Sequence, residues 1–266
     1  MDDFYPAERP IIYVIFSIAE FDADLKVTPM PYARQDSDNM RRAFDILEIE
    51  EYKDGDTAMS RKQRIEKAEA VKLIHNLSES QELKDCSMVI FVISTHGGFD
   101  YGDAHPIKEQ QGQTICFSDQ EMRLFDLLKP IQSKMSERPV LVIGDFCRGH
   151  YNKLYTRIGT MPTANVPQPT VRLDWGLNRN YMAETYIFYA CPIGHTSPVR
   201  SPFLGMLAGQ MALHGKVQTF NFITRQVKSH IMMTGKVSPN CSDNCHRQLI
   251  LHKDAYKTQL DRIYPN

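Results

Sequence analysis

A cysteine and a histidine 51 positions apart, Cys147 and His96, carry the clearest chemical signal in the sequence. Each directly follows an apolar run too short to be a helix: 140–143, Val-Leu-Val-Ile, before Gly144-Asp145-Phe146-Cys147, and 88–93 before Ser94-Thr95-His96. Such runs read as buried parallel strands. In an open α/β sheet the carboxyl ends of the strands are where ligands bind, so the thiol and the imidazole are offered to one edge. A free cysteine is mostly protonated near neutral pH, and a neighbouring imidazole can take its proton and later return it to a leaving amine. The pair therefore suits nucleophilic thiol catalysis. Gly97 permits close backbone approach to a substrate, and the N–H groups of Gly97 and Cys147 are candidate oxyanion donors.

The elements that must position these groups alternate along the chain. A β-rich run at 11–16 reads as a central strand. A helix is expected at 36–48 with Asp36 or Ser37 as its cap, and a second at 60–77 after a weak short strand and a turn at 53–56. After the histidine strand, 113–118 reads as a strand or turn and 119–135 as a helix that Pro130 should bend or break. Beyond the cysteine strand, 150–183 is proline-containing and lacks apolar periodicity, as expected of a functional or disordered loop. A strand at 185–190, helices at 203–213 and 220–232, and a final strand at 247–251 close the chain. Alternating β and α elements predict an α/β three-layer sandwich, a mostly parallel sheet of about six strands with helices on both faces.

Composition narrows the class. The 266 residues are 42% hydrophobic and 24% charged with a formal net charge of −1, so nothing favours nucleic acid or an anionic membrane surface. No apolar run approaches the ~20 residues of a membrane span. The N-terminus, Met-Asp-Asp-Phe-Tyr-Pro, lacks the order of a signal peptide, which predicts a cytoplasmic protein with reduced thiols. Cys86 and Cys116 sit at strand-like positions and read as core. Cys241, Cys245 and His246 lack a second ligand pair in step with them, so neither a metal nor another cofactor is expected.

Cys147-Arg148-Gly149 matches the last three positions of the caspase signature Gln-Ala-Cys-(Arg, Gln or Gly)-Gly, whose histidine lies about 50 residues upstream. The chain resembles the caspase family over nearly its whole length. The resemblance divides one domain into a short arm (1–9), a large-subunit-like region (10–150), an intersubunit linker (151–182) and a small-subunit-like region (183–266). It implies a cysteine endopeptidase that cleaves protein substrates after aspartate, in apoptosis or a related signalling pathway. It also implies a zymogen cut in the linker, where Asp174 is the only acidic residue between Cys147 and Ala183, and a homodimer or a heterodimer with another caspase.

The same resemblance implies a pocket in which two arginines and a glutamine hold the substrate carboxylate. Arg200 matches the small-subunit arginine, and Arg34, in the loop before the first helix, is the candidate for the other. The glutamine position falls on Asp145, which would repel an acidic side chain or pair with an arginine. Val199, preceded by Pro198, stands where the substrate-binding loop ordinarily carries a tryptophan before its arginine, and Leu207 where a second aromatic is expected. Two alternatives follow. One is a catalytically weak homologue that binds and regulates an active caspase. The other is a basic-specific peptidase, because paracaspases and metacaspases carry aspartate two residues before their cysteine.

Overall fold

The computed structural model describes residues 4–5, 7–55, 58–99, 113–148, 184–191, 197, 202–234, 239–243 and 245–263. At its centre are three strands, β1 (Ile11–Ser17), β3 (Met88–Ser94) and β7 (Val140–Asp145), buried at every position. Their unbroken apolar character follows from helices covering both faces. Alternate residues go to opposite sides: Val14, Phe16, Phe91 and Val142 to one core, Ile15, Ile90, Val92 and Ile143 to the other.

The sheet has six strands in the order β2-β1-β3-β7-β8-β9, with β2 at Glu50–Glu51, β8 at Thr185–Tyr189 and β9 at Asn240–Asp243. Only the β8–β9 pairing is antiparallel. The α/β sandwich expected from the sequence is the one observed. One face is covered by α2 (Lys67–Glu79), with α3 (Gln81–Asp85) following it, and by α4 (Leu124–Lys134). The other is covered by α1 (Ala33–Ile46), α5 (Phe203–His214) and α6 (Phe220–Met233). A second, antiparallel sheet joins β4 (Gly97–Phe99), β5 (Gln113–Cys116) and β6 (Glu121–Arg123). No helix among the described residues is long and apolar enough to cross a membrane.

Several boundaries differ from the sequence reading, each for a tertiary reason. Helix α1 begins at Ala33 rather than at 36. Ser37 is not a cap: its buried hydroxyl donates to the Ser60 carbonyl at 2.8 Å, and Tyr32 starts the helix with no side-chain cap. Arg34 is therefore in the first turn of α1, not in the loop before it. The helix expected from residue 60 begins only at Lys67. The Gln63 carbonyl accepts from Ala19 and Glu20, and that of Ile65 from Ser118, so these bonds hold the segment extended after a 3-10 turn at Met59–Arg61.

The residues expected to open a helix at 119 instead form β6, and α4 continues through Pro130 to Lys134. No strand forms at 247–251. Leu249, Ile250 and Leu251 are buried, but they make only isolated bridges around Gln248 and Ile250, and the outer strand is β9. A helix the sequence reading did not include, α7 (Lys253–Ile263), follows them. Cys86 caps α3 instead of lying in a strand, though it is buried as core. Phe4 and Ala7 of the N-terminal arm pack with Ile250 and Ala255.

Candidate active site

The site forms where β3 and β7 run out together. Ser17, Ser94 and Asp145 occupy one row across β1, β3 and β7, so the segments after them emerge side by side. The Thr95 N–H donates to the Asp145 carbonyl at 3.2 Å, extending the ladder one residue further. The Thr95 hydroxyl donates to the Cys116 carbonyl at 2.6 Å, and the Cys116 N–H to the His96 carbonyl at 2.9 Å. His96 is thus fixed on both sides by β5.

Gly97 fastens the histidine segment to the cysteine segment. A β-carbon there would lie 2.7 Å from the Thr114 carbonyl oxygen, 3.1 Å from that of Cys147 and 3.2 Å from the β-carbon of Phe146. Two of these neighbours are backbone atoms, so only glycine permits the approach. Gly97→Ala is expected to part the two segments by some tenths of an ångström. The predicted result is a stability loss of about 1–3 kcal/mol and a fall in catalytic efficiency of up to about 100-fold, measured by thermal melts and peptide hydrolysis. Unchanged hydrolysis would remove Gly97 from the site.

A buried amide completes the joint. Gln113 donates to the carbonyls of Gly98 at 2.9 Å, Thr114 at 3.0 Å and Cys147 at 3.4 Å, and accepts from the Arg148 Nε at 3.3 Å. The Arg148 guanidinium lies 3.6 Å from the Tyr189 ring centroid. A buried cation over an aromatic face with a hydrogen-bonded amide is well compensated. Arg148 therefore belongs to the scaffold behind the thiol. Gly144 leaves room for the Phe146 ring, whose nearest atom a β-carbon there would meet at 2.6 Å.

The histidine ring is oriented by a backbone group. Its Nε2 lies 2.6 Å from the Thr28 carbonyl oxygen, and the Phe21 ring packs 5.1 Å away. A carbonyl only accepts, so Nε2 carries the proton and Nδ1 is left as the basic nitrogen. Burial lowers the His96 pKa, against a raising contribution from the Thr28 bond. Burial raises that of Cys147; a hydrogen bond from the Ser197 N–H pulls it back, and the Asp145 charge raises it further. Both shifts favour the neutral form of each group at rest, the thiol and the imidazole alike.

Asp145 is buried, and its Oδ1 accepts from the Ser197 hydroxyl at 2.6 Å. Ser197 thus binds the thiol through its backbone and the carboxylate through its side chain. Thr28, Gln113 and Ser197 were not singled out by sequence reasoning. Thr28 acts through a carbonyl that any residue has, and Gln113 and Ser197 act across long separations.

The structure brings the segment 95–97, with His96 in it, against the segment 145–147. Arg34 is exposed and lines a cavity of about 210 Å³ with Ser17, Arg41, Ser60 and Arg61 among others; His96, Asp145 and Cys147 are not part of its lining. Asp174, Pro198, Val199 and Arg200 lie outside the described residues. Leu207 is buried in the core on α5. Cys241 is on the edge strand β9 with Cys245 and His246 following it, and no metal-holding group of His, Cys, Asp and Glu occurs among the described residues.

The caspase domain model of peptidase family C14 matches residues 12–250. The chain belongs to the caspase family. No curated protein sequence matches this caspase-family chain. The crystal structure of caspase-1 from Spodoptera frugiperda is similar in fold, with a TM-score of 0.68 over 94% of each chain at 15% identity. The match covers both the segment holding His96 and Cys147 and the α5–α6 half of the domain.

Proposed function

We propose that this chain is a caspase-like cysteine endopeptidase that cleaves protein substrates after aspartate, with specificity weakened by Asp145. The observation that carries the reading is the joint made by Gly97 and Gln113, which fixes the histidine and cysteine segments against each other at the carboxyl edge of the sheet. In the reaction, His96 Nδ1 takes the Cys147 proton as the sulfur attacks the scissile carbonyl carbon. The N–H groups of Gly97 and Cys147 receive the developing oxyanion, and the imidazolium returns the proton to the leaving amine. Water then hydrolyses the thioester with His96 as base. Because the resting pair is neutral, proton transfer accompanies attack.

Arg34 and Arg200 are proposed to hold the substrate carboxylate, with Pro198 and Val199 as the strand along which the peptide lies. The 151–182 linker is proposed to be cut slowly after Asp174, since Trp175 is a bulky residue to follow the bond. Pairing into a homodimer, or with another caspase, belongs to the same reading, as does a cytoplasmic role in apoptosis or related signalling.

A second reading, a weakly active homologue that regulates an active caspase, is favoured by burial of the thiol and, beyond that, by the Asp145 charge, both of which hold it protonated. Peptidyl electrophiles ending in aspartate or arginine separate the readings through the mass of the protein. An adduct at Cys147 with the aspartyl reagent is the expected result. An arginyl adduct alone indicates basic specificity. No adduct with either reagent overturns the peptidase reading and leaves the regulatory one.

A further inference from the structure

All six cysteines are thiols, and one that the peptidase reading leaves without a role lies against the nucleophile. Cys191 follows β8, the strand next to β7. The two strands remain side by side past their last ladder pair, Gly144 with Tyr189, because the Ala190 N–H donates to the Gly144 carbonyl at 2.9 Å. The Cys191 sulfur then lies 3.6 Å from the Phe146 carbonyl oxygen, to which it donates, and it receives the Arg148 N–H. These two peptide groups flank Cys147, so the Cys191 sulfur sits opposite the short stretch of backbone that carries the nucleophile.

The ladder ends at Gly144 and Tyr189, and what sets the two residues together is the Cys191 sulfur itself, held between the peptide groups on either side of Cys147. Cys191 is fully buried, whereas Cys147 is half-buried and reachable from solvent.

We propose that Cys147 and Cys191 are a redox pair, in which peroxide oxidation of the accessible thiol is resolved by the buried one into a reversible disulfide that blocks the site. In the first step Cys147 displaces hydroxide from hydrogen peroxide, forming its sulfenic acid, and the thiol proton leaves with that hydroxide as water. In the second the Cys191 sulfur attacks the sulfenic sulfur, the S–S bond forms, and the sulfenic hydroxyl leaves with the Cys191 proton as a second water. Two thiols and one peroxide thus give one disulfide and two waters. Burial pushes the Cys191 thiol up to about 12, so in the reduced protein it stays protonated and does not compete with Cys147 as a nucleophile.

A second thiol, Cys116, also feels the Cys147 charge, but its sulfur faces the Glu121 carboxylate at 4.0 Å. A resolving thiol there would have to lose its proton beside a carboxylate. Cys191 also feels the Asp145 carboxylate, but there the Arg148 N–H and guanidinium act against it and support developing negative charge.

The inference concerns the site proposed above and rests on that reading for its consequence, though not for its chemistry. Its test reads masses and needs no substrate. Reduced full-length protein is treated with graded hydrogen peroxide, alkylated and mapped by peptide mass spectrometry. The expected product is a peptide pair joined through Cys147 and Cys191, released by dithiothreitol. Cys191→Ser, and Cys191→Ala should the serine variant fold poorly, are expected to carry Cys147 to sulfinic acid that dithiothreitol does not reverse. Cys116→Ser is expected to behave as the unaltered protein. Over-oxidation of Cys147 without a disulfide in the unaltered protein, or a link from Cys147 to Cys116, overturns the proposal. A linked pair in a protein that hydrolyses no peptide would leave the redox pair standing and the peptidase reading in error.

Discussion

Cys147→Ala is expected to reduce peptide hydrolysis by about 10³-fold or more, and His96→Ala by a similar factor, with the double variant little worse than either alone. The two groups act on one proton, so removing either forfeits the same step. Cys147 is half-buried at the end of β7, and losing its sulfur leaves the Gly97 and Gln113 contacts to the Cys147 carbonyl intact. The fold should therefore lose no more than about 1 kcal/mol. Activity that survives in the alanine variant would assign the chemistry elsewhere.

The same pair predicts a pH dependence of definite sign. Burial holds the Cys147 thiol above its ordinary value, so catalytic efficiency is expected to keep rising above neutral pH as the thiolate becomes accessible. His96 has the opposite shift, a folded pKa below the unfolded 6.5. The unfolded chain binds its proton first, so this histidine's contribution to stability is complete above pH 6.5 and is lost as pH falls through the folded value. Melts of His96→Gln across pH 5–8 should lack that part of the acid-side decline. Identical pH profiles for both proteins would show that the imidazole is not buried as described.

Much of this could be read from residue types because the central strands leave little choice. Runs such as 88–93 and 140–143 are apolar on both faces and too short for helices, and both became fully buried strands with chemistry at their carboxyl ends. Residues whose local preferences were outweighed by distant partners were harder to read. Ser37 has the composition of a helix cap and spends its hydroxyl on Ser60; Leu249 and Leu251 have the pattern of a strand and are buried without one. The orienting partner of His96 is a carbonyl, which has no side-chain signature, and the Ser197–Asp145 bond spans 52 residues of sequence. Sequence shows which chemistry is available at the edge of this sheet. It does not show which groups are already committed to one another there.

Asp145 is one such committed group, and its replacement carries the second large expected effect. The carboxylate is buried, accepts the Ser197 hydroxyl at 2.6 Å, and raises the Cys147 thiol. In the aspartate-specific reading its charge opposes catalysis twice, by repelling a substrate carboxylate and by disfavouring the thiolate. Asp145→Gln removes that charge while keeping an acceptor for Ser197 and adding an amide donor for the substrate. One charge-assisted hydrogen bond contributes about 1.5–3 kcal/mol. Aspartyl-peptide cleavage should therefore rise by about tenfold to a hundredfold, and the rate should level off at a lower pH as the thiol shift relaxes. Assays of aspartyl, glutamyl and arginyl peptides with both proteins read the result. No change in aspartyl cleavage would mean that the carboxylate does not face the substrate side chain. Loss of an arginyl activity present in the unaltered protein would make Asp145 the group that binds a substrate cation, and the chain a basic-specific peptidase.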